Sequence, residues 1–297
     1  MSTPKADAEV TVRRNPHPDF PAVEASRPLW HEHPLTFTQQ QNPSWKLGDG
    51  ADDGGKSLKL ADSPGHREID PYEEGRPAVF NYKLMISAVV PRPIGWVGTR
   101  TKEGTTNLAP FSYFNMMNHD PPIFTLGFSG GFARPKDTLS ILVETGECTI
   151  NIISEPLLAA ANSTSINAPL GISEFALSGL HEASCTLVSA PRIKEAVFSV
   201  EGKLLETKEY ESRHTPGKKT GVVAIVEGLR FWVRRDAVDE DGKLVNPGVL
   251  RPMARMGGIS YGKVTEVVEI PRPQWEEVAR DKSARELVGS LTGQRGL

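Results

Sequence analysis

The spacing of apolar and polar positions carries most of the structural signal in this chain, and from about Ile69 onward the spacing is that of strands. In "CTINII" (148–153) Cys148, Ile150 and Ile152 alternate with Thr149 and Asn151. In "GVVAIVEGLRFWV" (221–233) Leu229, Phe231 and Val233 alternate with polar partners. A two-residue period is that of a strand with one buried face. Further β-rich runs are "LMISAVV" (84–90) and "IGWVGT" (94–99), split by Pro91-Arg92-Pro93, then "PIFTLGFS" (122–129), "VFSVEGKLLE" (197–206) and "GKVTEVVEI" (262–270). Two segments read as helices. "DTLSILVETG" (137–146) offers Asp137 as N-cap, Leu139, Leu142 and Val143 on one face, and Gly146 as the stop. "SEPLLAAANS" (154–163) offers Ser154 as cap and Pro156 in the first turn, where proline is tolerated. Many strands at hairpin-like intervals with few short helices predict a mostly β, antiparallel architecture closed into a barrel.

The flanks lack that pattern. Residues 1–66 carry several prolines, the run Gln39-Gln40-Gln41 and the loop-like "GDGADDGGK" (48–56), which reads as an N-terminal arm, partly disordered or draped over the surface. Within it, "RPLWHEHPLTF" holds Trp30 and Phe37, two side chains able to dock on a neighbouring surface. His31 and His33 have no third ligand nearby, so no metal site is read there. Residues 67–273 form the expected barrel, and 274–297 a charged C-terminal tail.

Charge and composition narrow the function. With 34 Lys+Arg against 37 Asp+Glu the net charge is −3, so no basic field points to nucleic acid. No apolar run reaches the ~18 residues of a membrane span. The first 20 residues read as neither a secretory signal nor a transit peptide. The two cysteines, Cys148 and Cys185, sit in strand-like contexts, which fits a reducing compartment. A cytoplasmic location is expected.

Candidate chemistry concentrates in two stretches. In "GFSGGFARPKDTLSILVETG" a strand ends at Ser129, a Gly-Gly loop follows, and Arg134 and Lys136 precede a helix start. Free backbone N–H groups and the positive helix end suit a phosphate, with Lys136 and the hydroxyls of Ser129 and Thr138 completing a cradle. A plain strand–loop–helix joint with a solvated lysine is the competing reading. The second stretch, "NLAPFSYFNMMNHDPP" (107–122), sets Phe111, Tyr113 and Phe114 among Ser112, Asn115 and Asn118. It reads either as a half-buried turn or as a surface for a flat polar molecule. His119 is a candidate general acid there, against the simpler role of a turn histidine beside Asp120-Pro121. Elsewhere "PGKKT" (216–220) fails as a P-loop end because Ser212 stands where the pattern needs glycine. GxGxxG and HExxH are absent, and Asp70, Glu73 and Glu74 read as a solvated acidic loop.

Six stretches in order, "YKLMISAVVPRPIGWVGT", "NLAPFSYFNMMNHDPP", "KDTLSILVETGECTINII", "EFALSGL", "PRIKEAVFSVEGKLL" and "LRPMARMGGISYGKV", resemble the flavin-reductase-like family of FMN-binding split barrels, from about Tyr82 to Ile270. In layout the chain is most similar to the longer fungal members. The resemblance implies an antiparallel Greek-key split β-barrel, usually a homodimer, with FMN near the subunit interface and NAD(P)H as electron donor. By position, Asn107 to Asn115 would border the flavin ring. The backbone of Ala109, Pro110, Phe111 and Ser112, with the side chains of Ser112 and Asn115, would bond its polar edge. Ser129, Lys136, Asp137 and Thr138 would hold the phosphate. Arg92, Trp96 and Thr99 would lie on the strand beside the ring, and Arg255 and Tyr261 near the cofactor or the dimer edge. One departure is Asn118-His119, where many relatives carry small serines. The implied activity is hydride transfer from NAD(P)H to flavin, with the chemistry on the flavin and no protein residue required as catalyst. An FMN-bound electron carrier, a flavoenzyme acting on a specific metabolite, and a non-enzymatic flavin-binding module remain as alternatives.

Overall fold

Local sequence sets the elements before any tertiary contact does. The computed structural model describes residues 15–59, 62, 65–169, 171–280, 284–286 and 288–289. In chain order the elements are α1 (Phe20–Ala25), β1 (Thr36–Thr38), α2 (Ala78–Ala88), β2 (Gly95–Arg100), β3 (Thr106–Phe111), β4 (Phe114–His119) and β5 (Pro122–Ser129). Then follow α3 (Asp137–Thr145), β6 (Glu147–Ile152), α4 (Leu158–Ser163), α5 (Glu174–Ser178), β7 (Glu182–Ala183) and β8 (Arg192–Ile193). The long strands β9 (Phe198–Glu211) and β10 (Lys219–Val233) lead to α6 (Pro247–Leu250), β11 (Met253–Arg255), β12 (Tyr261–Lys263), β13 (Glu266–Val268) and α7 (Trp275–Val278).

The chain divides into two compact units. The first comprises residues 1–32 and 70–264, the second residues 33–69 and 265–297. In the second unit β1 pairs in parallel with β13, Phe37 opposite Val267. Of the N-terminal arm expected over residues 1–66, residues 1–14, 60–61 and 63–64 lie outside the described residues.

The first unit is built on a seven-stranded antiparallel sheet in the order β3-β2-β6-β9-β10-β5-β4. Its outermost strands, β3 and β4, are consecutive in sequence and joined only by Ser112 and Tyr113. From Phe111 to Phe114 the chain reaches at most ~11 Å, so the sheet must roll until its edges meet at that link. This is the split barrel that the sequence pattern predicts. Gly127 of β5 lies under the link: its N–H donates to Tyr113 O at 2.6 Å, and a Cβ there would stand 2.7 Å from Tyr113 Cβ.

Inside the barrel Val97, Phe114, Phe124, Leu126, Ile150, Val200 and Val226 pack with Leu139 and Leu142 of α3. On the other face of β2, β3 and β6, Trp96, Leu108, Phe175 and Ile193 form a second cluster with Ala161 of α4. β2 is therefore buried on both faces, which is why its sequence does not alternate.

Three expectations need correction. The run 84–90 is not a strand: residues 84–88 complete α2, and only Ile86 of that helix is buried. Its apolar side chains are spread round the helix rather than gathered in a stripe, so no 3.6-residue period stands out. In α3, Asp137 is not the N-cap. Lys136 occupies that position with extended backbone (φ −66°, ψ 148°), and Asp137 is the first helical residue. Gly146 does end α3, in the left-handed conformation at φ 74°. The run 262–270 is broken into β12 and β13, which belong to different units.

Candidate functional site

The link that closes the barrel also floors a cleft. One cavity of about 340 Å³ is lined by Tyr82 and Ile86 of α2, Arg92 and Ile94, the segment Pro110–Tyr113, Gly127 and Ser129 of β5, Lys136, and Arg255, Gly258 and Tyr261 of the β11–β12 hairpin. A second, of about 490 Å³, is lined by Asn107, Ala109, Arg134, Lys136, Asp137, Thr138, the segment 164–168 and Glu174. Pro110, Phe111, Lys136 and Ser165 border both, so the two adjoin as the ends of a cleft.

The first end is aromatic. Phe111 is fixed edge-on against Phe128, with ring centroids 4.7 Å apart. Tyr261 donates to Asn162 Oδ1 at 3.0 Å and lies under the Arg255 guanidinium, 4.3 Å from the ring centroid. Burial raises the pKa of Tyr261, and burial with the neighbouring Tyr82 raises that of Tyr113, so both phenols stay neutral.

Arg92 is committed to the framework. Its Nη1 donates to Ile86 O and Val89 O at 2.7 and 2.6 Å, and Nη2 to Met256 O at 2.8 Å. It thereby satisfies carbonyls left open at the C-terminal end of α2 and ties that helix to the loop of the β11–β12 hairpin. Its Nε is buried without a hydrogen-bond partner.

The second end combines a helix start with unpaired cations. No side chain caps α3, which leaves first-turn N–H groups for a ligand. Among the described residues neither Arg134 nor Lys136 has a carboxylate partner. Thr138 Oγ1, buried, accepts from Asn107 Nδ2 at 2.9 Å, and the same amide donates to Thr99 Oγ1 at 3.1 Å. Two acids share this end: Asp137, and the buried Glu174, whose Oε2 accepts from Leu108 N at 3.1 Å. Burial, reinforced by Asp137, raises the pKa of Glu174.

Of the residues anticipated from sequence, Arg92, Pro110, Phe111, Ser112, Ser129, Lys136, Arg255 and Tyr261 line the aromatic end, and Asn107, Ala109, Asp137 and Thr138 the helix-start end. The proposed cradle of Ser129, Lys136 and Thr138 is thus divided, with Ser129 and Thr138 on opposite sides of Lys136. Trp96 and Thr99 do not line the cleft. Both are fully buried, Trp96 donating to Thr164 Oγ1 at 2.9 Å. Asn115 stands outside it, its Oδ1 accepting from the adjacent Met116 N at 3.0 Å. Trp96 and Thr99 face opposite sides of β2, and because that strand is covered on both faces neither reaches the cleft. His119 is exposed on the edge strand β4 and lines neither end. Sequence reasoning missed Tyr82, Ile86 and Glu174. The i, i+4 spacing of Tyr82 and Ile86 marks one helical face, a signal hidden while the segment reads as a strand.

A rolled antiparallel sheet with a cleft at its seam, aromatic at one end and cationic at the other, is the arrangement of a split barrel. A sequence profile of the flavin reductase like domain matches residues 86–251, and the chain belongs to that family. Its role is accordingly a flavin-linked redox one. An uncharacterized protein of Aquifex aeolicus is 37% identical over 183 residues, which cover 61% of this chain and 89% of that protein. Nitrilotriacetate monooxygenase component B from Bacillus cereus superimposes with a TM-score of 0.65 at 31% identity, covering 70% of this chain and all of that one. The 2-nitrobenzoate 2-nitroreductase of Pseudomonas fluorescens gives a TM-score of 0.61 at 26% identity, covering 70% and 98%. Among the described residues no helix is long and apolar enough to cross a membrane.

Proposed function

We propose that this protein binds FMN along the seam cleft and transfers a hydride from NAD(P)H to the flavin. The observation that carries this reading is that Lys136 borders both an aromatic cavity and a cavity at an uncapped helix start, where among the described residues Arg134 and Lys136 have no carboxylate partner. That polarity matches an apolar ring system joined to a phosphate. The names of the similar structures, a monooxygenase component and a nitroreductase, support redox work at such a site.

When bound, FMN supplies two-electron acceptor chemistry. The chain's own contribution is to bind and orient. Phe111, Tyr113 and Tyr261 offer apolar surface, and Ser112 with the adjacent backbone offers hydrogen-bonding groups for the ring's polar edge. Lys136, Arg134 and the first turn of α3 supply positive potential for the phosphate. Asp137 and Glu174 oppose an anion at that end, and the raised pKa of Glu174 lessens its opposition by favouring the neutral acid.

A homodimer is part of the same reading. Met116 and Met117 of the edge strand β4, with Phe80 and Met85 of α2 and Val89 just past its end, are exposed. Apolar groups on an unpaired strand edge suit a second copy of the chain.

The test is a flavin titration followed by anaerobic addition of NADH or NADPH. FMN that binds and bleaches on reduction fits the proposal. FMN that binds but stays oxidised turns the reading to an electron carrier or to an enzyme of a specific metabolite. Neither binding nor flavin-dependent NAD(P)H oxidation removes it.

A further inference from the structure

Glu155 accepts from three side chains, and they come from three separate parts of the chain. Lys263 Nζ at the end of β12 donates to its Oε1 at 2.6 Å. Arg251, just before β11, donates to Oε2 through Nη2 at 2.6 Å and Nε at 3.2 Å. Trp30, from the N-terminal arm, donates through Nε1 to Oε1 at 2.9 Å. The arm makes two more contacts at the same place: Lys263 Nζ lies 5.0 Å from the centroid of the Trp30 ring, and Glu32 pairs with Arg251 at 3.3 Å. Trp30 is itself 65% exposed, so burial of its ring does not account for its position. Directed polar contacts do.

What Glu155 holds is a wall of the cleft. Backbone bonds join Glu155 N to Arg251 O and Met253 N to Ile153 O, at 2.9 and 3.1 Å. From there β11 and β12 run to Arg255, Gly258 and Tyr261 at the aromatic end. Glu155 also precedes α4, whose Asn162 accepts from the Tyr261 hydroxyl. Glu155 and Arg251 fall within the residues that match the family profile, whereas Trp30, Glu32 and Lys263 fall outside them on either side. The chain leaves this unit after Glu32 and again after Val264, so residues beside both exits converge on one carboxylate.

We propose that residues 30–32 are a strap that positions the cleft wall through Glu155, with Trp30 and Glu155 as positioning residues for flavin binding. Neither touches the cleft. The strap acts by holding β11, β12 and α4 in register, so that Tyr261 and Arg255 present a fixed face. This rests on the flavin reading, and the test keeps the two apart.

Trp30→Ala, Trp30→Phe and Glu155→Gln are compared with the wild-type full chain in FMN affinity and in amide hydrogen exchange over residues 253–263 without flavin. Trp30→Ala is expected to weaken FMN about fivefold to tenfold, the scale of one lost hydrogen bond with its ring contact, and to speed exchange in that hairpin. Trp30→Phe, which keeps a ring for Lys263 but loses the Nε1–H, falls between. Glu155→Gln is expected to lose as much as Trp30→Ala or more. Wild-type affinity and wild-type exchange in Trp30→Ala overturn the strap. If the wild type itself binds no FMN, the flavin reading fails and exchange alone decides: faster exchange in Trp30→Ala retains the strap as a holder of the hairpin, and unchanged exchange removes it.

Discussion

Three glutamates show how one side-chain type takes opposite roles according to its donors. Glu155 is held down to about 2 from 4.5, first by the Lys263 hydrogen bond, then by Trp30 and Arg251 against the opposing effect of burial. Its ionised form is therefore stabilised in the fold, fully above about pH 4.5 and progressively less as pH falls toward about 2. The melting-temperature advantage of wild type over Glu155→Gln should shrink across that window; an advantage independent of pH would contradict the assignment. Glu174 is the reverse. Burial raises its pKa, so ionising it costs stability as pH rises from the ordinary carboxylate range through the folded value. Glu174→Gln keeps an oxygen for Leu108 N–H and should gain in melting temperature over wild type as pH rises, read by thermal unfolding between pH 5 and 9. Glu201, with no exposed surface, stays ionised because two N–H groups, from Thr186 and Leu187, and Trp232 Nε1 outweigh burial. At the ligand end, Lys136→Ala should weaken FMN roughly tenfold to a hundredfold, the range of one charge-assisted hydrogen bond. A titration that leaves the affinity unchanged contradicts the phosphate assignment. Lys136 is a cleaner probe than Thr138, whose hydroxyl also serves Asn107. Lys136 was legible in the sequence because a Gly-Gly loop before a helix start is a local pattern. Glu174 was not, since its burial depends on α5 packing beside β3.

At the scale of elements, strands with one wet face announced themselves, and β5 falls on the bounds of the β-rich run 122–129. α2 did not, because most of its apolar side chains are exposed, and a helix without a buried stripe leaves no period to read. The link between β3 and β4 was legible as an aromatic, hydrogen-bonding stretch, but its position could not be inferred locally. It is set by a ladder that runs through five other strands. Gly127 is the element on which this crossing depends. Gly127→Ala would force Tyr113 away from β5, and overpacking of this kind costs about 1–3 kcal/mol. We expect a lowered melting temperature together with weaker FMN binding, because Tyr113 lines the cleft. Wild-type values of both would show that the link has room to shift.

For the whole molecule, the fold class followed from strand count and spacing, and the division into two units did not. The segments 33–69 and 265–297 that compose the second unit lie far apart in sequence, and neither carries a pattern that names the other as partner. Assembly belongs at this scale too. In sedimentation the protein should run at twice the mass of one chain, and Met116→Asp with Met117→Asp should shift it toward the monomer. A wild type that sediments as a monomer at micromolar concentration contradicts the dimer. The seam has a consequence of a different kind. β3 and β4 share no ladder, so between Phe111 and Phe114 the barrel is held shut by covalent chain and not by paired strands. A circular permutant opened between Ser112 and Tyr113 would keep every strand pairing of the seven-stranded sheet while freeing its two margins to drift apart. Such a molecule would separate what makes the sheet from what makes the cleft.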